Sequence, residues 1–109
     1  MYYDDEELTN LWEETIDKLS RFSLTWDDVD AVILENDNVT ISKKNFEEVA
    51  RKTNYYKGFG CAEIRSDLVI VGWNWWLERR EYDGSEWWEL KIKPYIPNDT
   101  KEVTSLTGE

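Results

Sequence analysis

The side chains best able to do chemistry in this sequence are neighbouring carboxylates, such as Asp27 with Asp28 and Glu47 with Glu48. Two carboxylates can act as the acid and base of a glycoside hydrolase, or they can hold Mg²⁺. Adjacent residues on a helix point in different directions, however, so these pairs do not converge on one substrate or ion. They therefore predict solvated helix faces and no metal site.

The common nucleophiles lack the partners that would activate them. The chain has no histidine, which excludes Ser–His and Cys–His pairs as well as histidine-ligated zinc. Its single cysteine, Cys61, excludes an internal disulfide and is expected to be a small, buried or half-buried residue. Residues 58–60, Gly-Phe-Gly, lack the lysine and the spacing of phosphate-binding loops and predict a simple turn. We expect no enzymatic activity, no cofactor and no bound metal.

Tryptophan is the most informative residue type. Five of the seven tryptophans lie within 16 residues, at Trp73, Trp75, Trp76, Trp87 and Trp88. Side chains of a strand alternate between two faces, so one layer cannot bury all five. We expect Trp75 and Trp88 in the core, and Trp76 and Trp87 on the opposite face with Arg80. Those outer indoles are either covered by a loop and packed against cationic side chains, or they form an exposed patch typical of protein–protein interfaces.

Negative charge is concentrated in the first part of the chain. The 24 Asp and Glu residues outnumber 13 Lys and Arg residues, for a formal net charge of −11. Residues 1–41 contain twelve of the acids and two of the bases, so this segment carries −10 of that charge. It is either a solvated face that keeps the protein soluble, or a surface that resembles a nucleic-acid backbone, because acids on adjacent helical turns lie ~5–6 Å apart. The second surface would compete for the basic groove of a nucleic-acid-binding protein.

The charge balance also limits the class of partner. At a sequence pI near 4.4, phosphate groups would be repelled, which disfavours direct binding to nucleic acid or to an anionic membrane. Residues 1–7 are acidic where an export signal would be basic, and the longest apolar runs, such as Leu68–Val71, have four residues. We therefore expect a cytoplasmic protein without a membrane span.

Two helices are expected at the start of the chain. Apolar residues recur at spacings of three and four between residues 5 and 22, which predicts an amphipathic helix with Asp4 or Asp5 as its N-cap. Residues 25–28, Thr-Trp-Asp-Asp, resemble a capping box and predict a shorter second helix whose inner face holds Val29, Val32 and Ile33.

A short strand or extended link at residues 39–41 and a third helix are expected next. Ser42 is the predicted N-cap of that helix, which would continue to Thr53. Phe46, Val49 and Ala50 have the spacing of its buried side.

Three antiparallel strands are then expected, at residues 68–73, 75–82 and 86–93. Gly72 in the first of them marks a bulge or a close approach. The pair Asp83 and Gly84 is a strong hairpin signal, because both residues tolerate positive φ.

A two-residue turn fixes the register of the hairpin. It places Trp75 opposite Ile92, Leu77 opposite Leu90 and Arg79 opposite Trp88 on a core face, and Trp76 opposite Lys91 and Arg80 opposite Trp87 on the outer face. The expected fold is α+β, with two to three N-terminal helices followed by a three-stranded antiparallel β-meander and the helices on one face. Residues 1–96 would form one domain and residues 97–109 a polar tail.

Residues 76–89, Trp-Leu-Glu-Arg-Arg-Glu-Tyr-Asp-Gly-Ser-Glu-Trp-Trp-Glu, resemble a block in small acidic proteins encoded by bacteriophages and prophages of Gram-positive bacteria. With residues 67–72, 25–28 and 55–60, the similarity covers about two thirds of the chain and omits the first helix. Trp73 and Asn74 depart from the block, where acidic residues are more usual. The resemblance implies a phage setting, and phages encode small acidic inhibitors of host defence, including anti-CRISPR proteins that occupy the nucleic-acid groove of a Cas effector.

We therefore expect a phage-encoded, non-enzymatic acidic protein that inhibits a host nucleic-acid-binding protein, such as a Cas effector, by occupying its basic groove. The alternative is a phage structural or assembly protein that self-associates through the Trp-rich hairpin. The candidate contact residues are nine carboxylates and three hairpin side chains: Asp4, Asp5, Glu6, Glu13, Glu14, Asp17, Asp27, Asp28, Asp30, Trp76, Arg80 and Trp87.

Overall fold

A computed structural model describes residues 8–58 and 60–108 of the chain. Its helices and strands follow in the order β1 (Thr9–Asn10), α1 (Leu11–Ser20), β2 (Ala31–Leu34), β3 (Val39–Ile41), α2 (Lys43–Ala50), β4 (Asn54–Tyr55), β5 (Leu68–Val71), β6 (Trp75–Tyr82) and β7 (Ser85–Ile92). Single 3₁₀ turns at Trp26–Asp28 and Glu35–Asp37 come shortly before β2 and β3. The predicted caps Asp4 and Asp5 and the candidate contact residue Glu6 lie outside the described residues.

A five-stranded antiparallel sheet in the order β3-β2-β5-β6-β7 forms the centre of the fold, and β1 and β4 pair separately. The expected fold of two to three helices and a three-stranded meander is therefore wrong. The described residues contain two α-helices, and β2 and β3 extend the main sheet beyond the three expected strands. The α+β character remains, because both helices bury side chains in the same core as the sheet.

The segment predicted as a second helix is largely strand β2. The capping box is present, since the Thr25 N–H donates to the Asp28 carboxylate at 2.8 Å, but it closes only one 3₁₀ turn. The Asp30 N–H then donates to the Val71 carbonyl at 2.8 Å, next to the first residues that pair β2 with β5. Residues 31–34 are a continuous apolar run, which suits a strand with neighbours on both sides better than a helix with one buried side.

Helix α1 is shorter than predicted in the part of the chain that the structure describes. Asn10 is its N-cap, and the Asn10 side-chain oxygen accepts a hydrogen bond from the Glu13 N–H at 3.0 Å. Leu11, Thr15 and Leu19 are buried on one side of the helix, as their spacing predicted. The helix ends at Ser20, before the last residues that the apolar pattern included.

Helix α2 confirms the predicted cap and corrects the predicted end. The Ser42 hydroxyl accepts a hydrogen bond from the Asn45 N–H at 3.0 Å, and the helix ends at Ala50, before Thr53. Phe46 and Ala50 are buried as expected, whereas Val49 is exposed. The prediction that Val49 is buried was wrong, because the helix has only eight residues and buries a narrow stripe.

The hairpin of β6 and β7 has the predicted register at every pair. Asp83 and Gly84 both have positive φ, at 53° and 86°, which matches the two-residue turn that the sequence indicated. Trp75, Leu77 and Trp88 are buried in the core with side chains of β2, β5 and both helices. Residues 93–108, after β7, form neither helix nor strand and are exposed.

Gly72 allows the close approach that its place in the sequence indicated. Its N–H donates to the Trp75 carbonyl at 2.8 Å, and a Cβ at this position would overlap the Trp75 indole. Since Trp75 is buried, the ring has little room to move away.

We expect Gly72→Ala to lower the free energy of unfolding by about 1–3 kcal/mol, because overpacking forces a core side chain from its position. Urea denaturation followed by tryptophan fluorescence measures the loss. Gly108→Ala is the control, because a Cβ there meets no neighbouring atom. Equal stability of the two variants would contradict the prediction.

Candidate interaction surfaces

The extent of the acidic surface depends on which carboxylates are buried in the interior. Arg79 projects from β6 into the core, and its guanidinium lies 4.8 Å from the Trp88 ring centroid and 5.7 Å from that of Tyr55. Its nitrogens lie 3.4 Å from the Glu14 carboxylate and 3.0 Å from that of Glu86. A guanidinium in this position is an ion-pair partner for two carboxylates that would otherwise be costly to bury.

Tyr55 and Glu86 extend this buried network to other parts of the chain. The Tyr55 hydroxyl donates to Glu14 at 2.6 Å and accepts from Arg79 at 2.9 Å. Burial, and then the Glu14 carboxylate, raise the pKa of the Tyr55 phenol. The Glu86 carboxylate also accepts the N–H groups of Glu63 at 2.6 Å and Ile64 at 3.2 Å, so it fixes the loop before β5.

Two of the carboxylates expected on the open surface are therefore already paired within the chain. The Glu14 side chain is 9% exposed and lies 4.0 Å from Lys57 as well as beside Arg79. Asp17 forms a 3.0 Å ion pair with Arg21 at the next turn of α1. The structure leaves little of the Glu14 carboxylate for a partner to contact, and it leaves Asp17 exposed but matched.

Two of the predicted contact carboxylates without an ion pair lie on and after the 3₁₀ turn Trp26–Asp28, while other exposed carboxylates without an ion pair, such as Glu48, Glu81 and Asp83, lie elsewhere on the described residues. Asp27 and Asp30 are exposed and form no ion pair among the described residues, and the same holds for Glu13 at the start of α1. Asp28 is exposed too, but its carboxylate closes the capping box. The structure thus keeps fewer of the predicted contact carboxylates open than the sequence indicated, with Asp27 and Asp30 on and after the Trp26–Asp28 turn.

A cluster of three aromatic rings that was not predicted from the sequence supports this turn. Trp26 packs edge-on against Trp12 of α1, with ring centroids 5.0 Å apart, and stacks on Phe46 of α2 at 5.4 Å. The Lys43 ammonium donates to the carbonyl oxygens of Trp26 at 2.8 Å and Val29 at 2.9 Å. The inward spacing of Trp12 and Phe46 was the available signal, but their contact with Trp26 depends on tertiary packing.

The outer face of the hairpin carries both predicted indoles beside ion pairs. Trp76 is half-buried and Trp87 is 36% exposed. Arg80 lies opposite Trp87 and forms a 3.1 Å ion pair with Glu89. Lys91 lies 3.5 Å from Glu78 and 3.4 Å from Glu89, so this face is a network of paired charges around two indoles.

A second apolar patch lies at the other end of the hairpin from the turn. Trp73 is 88% exposed and borders an open concavity of about 480 Å³ with Ile92, Tyr95 and Ile96. Trp73 was predicted to end the strand at residues 68–73, which is wrong because β5 ends at Val71. Its exposure follows from its position in the turn between β5 and β6, outside both strands.

We expect Arg79→Met to lower the free energy of unfolding by about 3–5 kcal/mol, because it leaves the Glu14 and Glu86 carboxylates buried without a cation. Arg80→Met is the matched control, since Arg80 is exposed and its surface pair is worth at most about 1 kcal/mol. Urea denaturation measures both variants, and an equal loss in the two would contradict a special role for Arg79.

A separate ion pair predicts how stability depends on pH. The Asp67 carboxylate accepts hydrogen bonds from Arg65 at 2.7 and 2.8 Å and from the Asn36 N–H at 2.9 Å. The bonds from Arg65 are the main cause that lowers the Asp67 pKa to about 2, below the 3.8 of an unperturbed aspartate. The charged form therefore stabilises the fold above about pH 4, and this contribution is lost as the pH falls toward 2.

We expect Asp67→Asn to be less stable than the wild type at pH 7, with a difference that shrinks as the pH falls through the range between those two pKa values. Urea denaturation at a series of pH values measures the difference. Asp99→Asn, in the exposed segment after β7, is the control and should match the wild type throughout. A constant difference between wild type and Asp67→Asn would contradict the assignment.

The comparisons with known proteins do not indicate a function. No protein-family model, curated protein or solved structure matches the chain. Within residues 8–58 and 60–108, no helix has the length and apolar character needed to cross a membrane. The same residues contain no cluster of three or more side chains suited to holding a metal ion.

Proposed function

We propose that this chain is a non-enzymatic acidic protein that binds the cationic surface of a protein partner and blocks the binding of nucleic acid there. The observation that supports this proposal most directly is the turn Trp26–Asp28. It carries exposed carboxylates at Asp27, with Asp30 just beyond it, that no cation of the described residues pairs with. A charged group without an internal counter-ion is available to a partner.

The contacts that hold the turn in place strengthen the proposal. The capping box, the Trp12–Trp26–Phe46 packing and the Lys43 hydrogen bonds hold the turn from three sides. Charges fixed before binding lose little conformational entropy on association, and they direct encounter through the field that they produce. Lys43 contributes a positive charge here, but it is directed at backbone carbonyls and leaves the outer carboxylates open.

The sign and distribution of charge favour a basic partner. The net charge of −11 attracts a groove lined by Lys and Arg and repels nucleic acid itself. A protein that presents carboxylates to such a groove excludes the phosphates that the groove normally binds. With the resemblance to phage and prophage proteins, the proposed partner is a nucleic-acid-binding protein of the bacterial host, such as a Cas effector, met in the cytoplasm.

The test reverses the open carboxylates and leaves the cap intact. Asp27→Lys with Asp30→Lys keeps Asp28, whose carboxylate holds the turn closed. The matched control, Asp99→Lys with Glu102→Lys, makes the same change in net charge on the exposed segment after β7. The tagged full-length chain captures its partner from a host lysate, and the purified partner is then used for kinetics.

We expect the Asp27/Asp30 variant to associate about tenfold or more slowly at low salt and to lose much of its salt dependence, because the steering field is weakened. The control should keep most of the wild-type rate, and added duplex DNA or RNA should release the captured partner. Equal rates in both variants, or simultaneous binding of nucleic acid and this protein, would contradict the proposal.

A second candidate function is a structural or assembly role with self-association through the Trp-rich hairpin. The exposed Trp73 and the partly exposed indoles of Trp76 and Trp87 on the outer face favour this role. Sedimentation separates the two functions: a stable homo-oligomer that buries the outer indoles supports assembly through this face.

A further inference from the structure

The apolar patch around Trp73 is poor in charge and rich in aromatic rings. An open concavity of about 480 Å³ is bounded by Trp73 and by the residues at and after the end of β7. Of the seven residues that line it, only Lys93 is charged, in a chain in which 34% of all residues are charged. Aromatic side chains and few charges are typical of the centre of a protein–protein interface. The patch is therefore a candidate for contact with another protein chain.

The exposed area of this patch is close to what one half of a small dimer interface needs. Trp73 is 88% exposed, Tyr95 82%, Ile96 72% and Ile92 59%. With about 150–250 Å² for each aromatic side chain and less for each isoleucine, these side chains together expose about 500 Å². An apolar patch of this size is at the upper end of those found on monomers. Two copies of the patch would bury about 1,000 Å², which is the lower limit for a specific interface.

Local constraints hold the patch in shape before any contact forms. The Lys93 N–H donates to the Asn74 carbonyl at 2.6 Å, which ties the segment after β7 to the tip of the turn between β5 and β6. Both prolines of the chain, Pro94 and Pro97, lie in this segment with two residues between them. A proline fixes its own φ and restricts the residue before it. Little conformational entropy is therefore lost when the concavity is filled.

We propose that two copies of this chain associate through this patch about a two-fold axis, with the Trp73 indole of each copy in the concavity of the other. A two-fold contact uses the same surface on both copies, so it needs a projection and a recess within one patch. The patch has both, because Trp73 is exposed at the tip of the turn and borders the concavity. In this arrangement Trp73 contacts Tyr95 and Ile96 of the second copy.

The proposed contact goes beyond the proposed function and does not depend on the acidic surface or its partner. It does not use Trp87, which lies near the Asp83–Gly84 turn at the other end of the hairpin. Each copy has a net charge of −11, so charge opposes the association and the burial of apolar area drives it. We expect the dimer to strengthen as salt screens this repulsion, with a dissociation constant in the micromolar range that suits an interface of this size.

The first experiment measures dimerisation of the full chain by sedimentation velocity and equilibrium for three single variants that keep the net charge. Trp73→Ser removes the projecting indole from an exposed position. Leu106→Ser is the matched control, because Leu106 is 94% exposed and lies outside the concavity, and Trp87→Ser tests the outer face. We expect Trp73→Ser to weaken dimerisation at least about tenfold, as loss of a central tryptophan does. Both other variants should dimerise like the wild type, and circular dichroism checks that all three are folded.

A mixing experiment tests whether the indole and the concavity that it fills belong to different copies. Ile96→Asn places a polar side chain in the wall of the concavity and keeps the Trp73 indole, whereas Trp73→Ser keeps the wall. Each variant alone loses one half of both symmetric contacts. A heterodimer of the two variants has one intact contact, so we expect a 1:1 mixture to dimerise more strongly than either variant alone and more weakly than the wild type.

Four results would overturn the proposal. A wild-type chain that sediments at 13.1 kDa up to high micromolar concentration has no such contact, as when another segment of the same chain fills the concavity. A dimer that tolerates Trp73→Ser uses another surface, which is the outer face if Trp87→Ser weakens it. A mixture of Trp73→Ser and Ile96→Asn that dimerises no better than either variant has no exchanged indole. A dimer that dissociates as the salt concentration rises is held by charge.

Discussion

The buried guanidinium of Arg79 is the interaction on which the rest of the structure depends. It draws together α1 through Glu14, β4 through Tyr55 and β7 through Glu86, and it lies over the Trp88 ring that packs in the same core. Removing a member of this network destabilises the core, because it takes a partner from a charge in a low dielectric. Because the Glu14 carboxylate is bound within this network, little of it remains for a partner to contact.

The sequence predicted the elements whose signals are local. Asp83 and Gly84 fixed the hairpin turn, and the alternation on either side of it fixed the register, because a shift by one residue would move every side chain to the wrong face. The prediction of a second helix was wrong for the opposite reason. Its capping box is real, but Ala31–Leu34 finds hydrogen bonds along β5, and that long-range pairing outweighs a local helix signal.

The candidate site was predictable in composition and less so in geometry. Counting charges identified an acidic segment, and the exposed Asp27 and Asp30 agree with an open acidic surface. Counting could not show that Glu14 is buried against Arg79, since the partner lies 65 residues away along the chain. The same limit applies to the ring cluster under the turn, where Trp12, Trp26 and Phe46 meet only after both helices have packed.

The span of these contacts constrains the order in which the chain can fold during synthesis. The Trp88 indole N–H donates to the Thr15 hydroxyl at 2.9 Å across 73 residues, and Glu14 binds Arg79 across nearly as many. A ribosome releases the N-terminal part first, so Glu14 and Thr15 of α1 emerge well before the strands that carry Arg79 and Trp88. We expect the acidic residues around that helix to keep the nascent segment apart from other chains by repulsion until the hairpin has been synthesised.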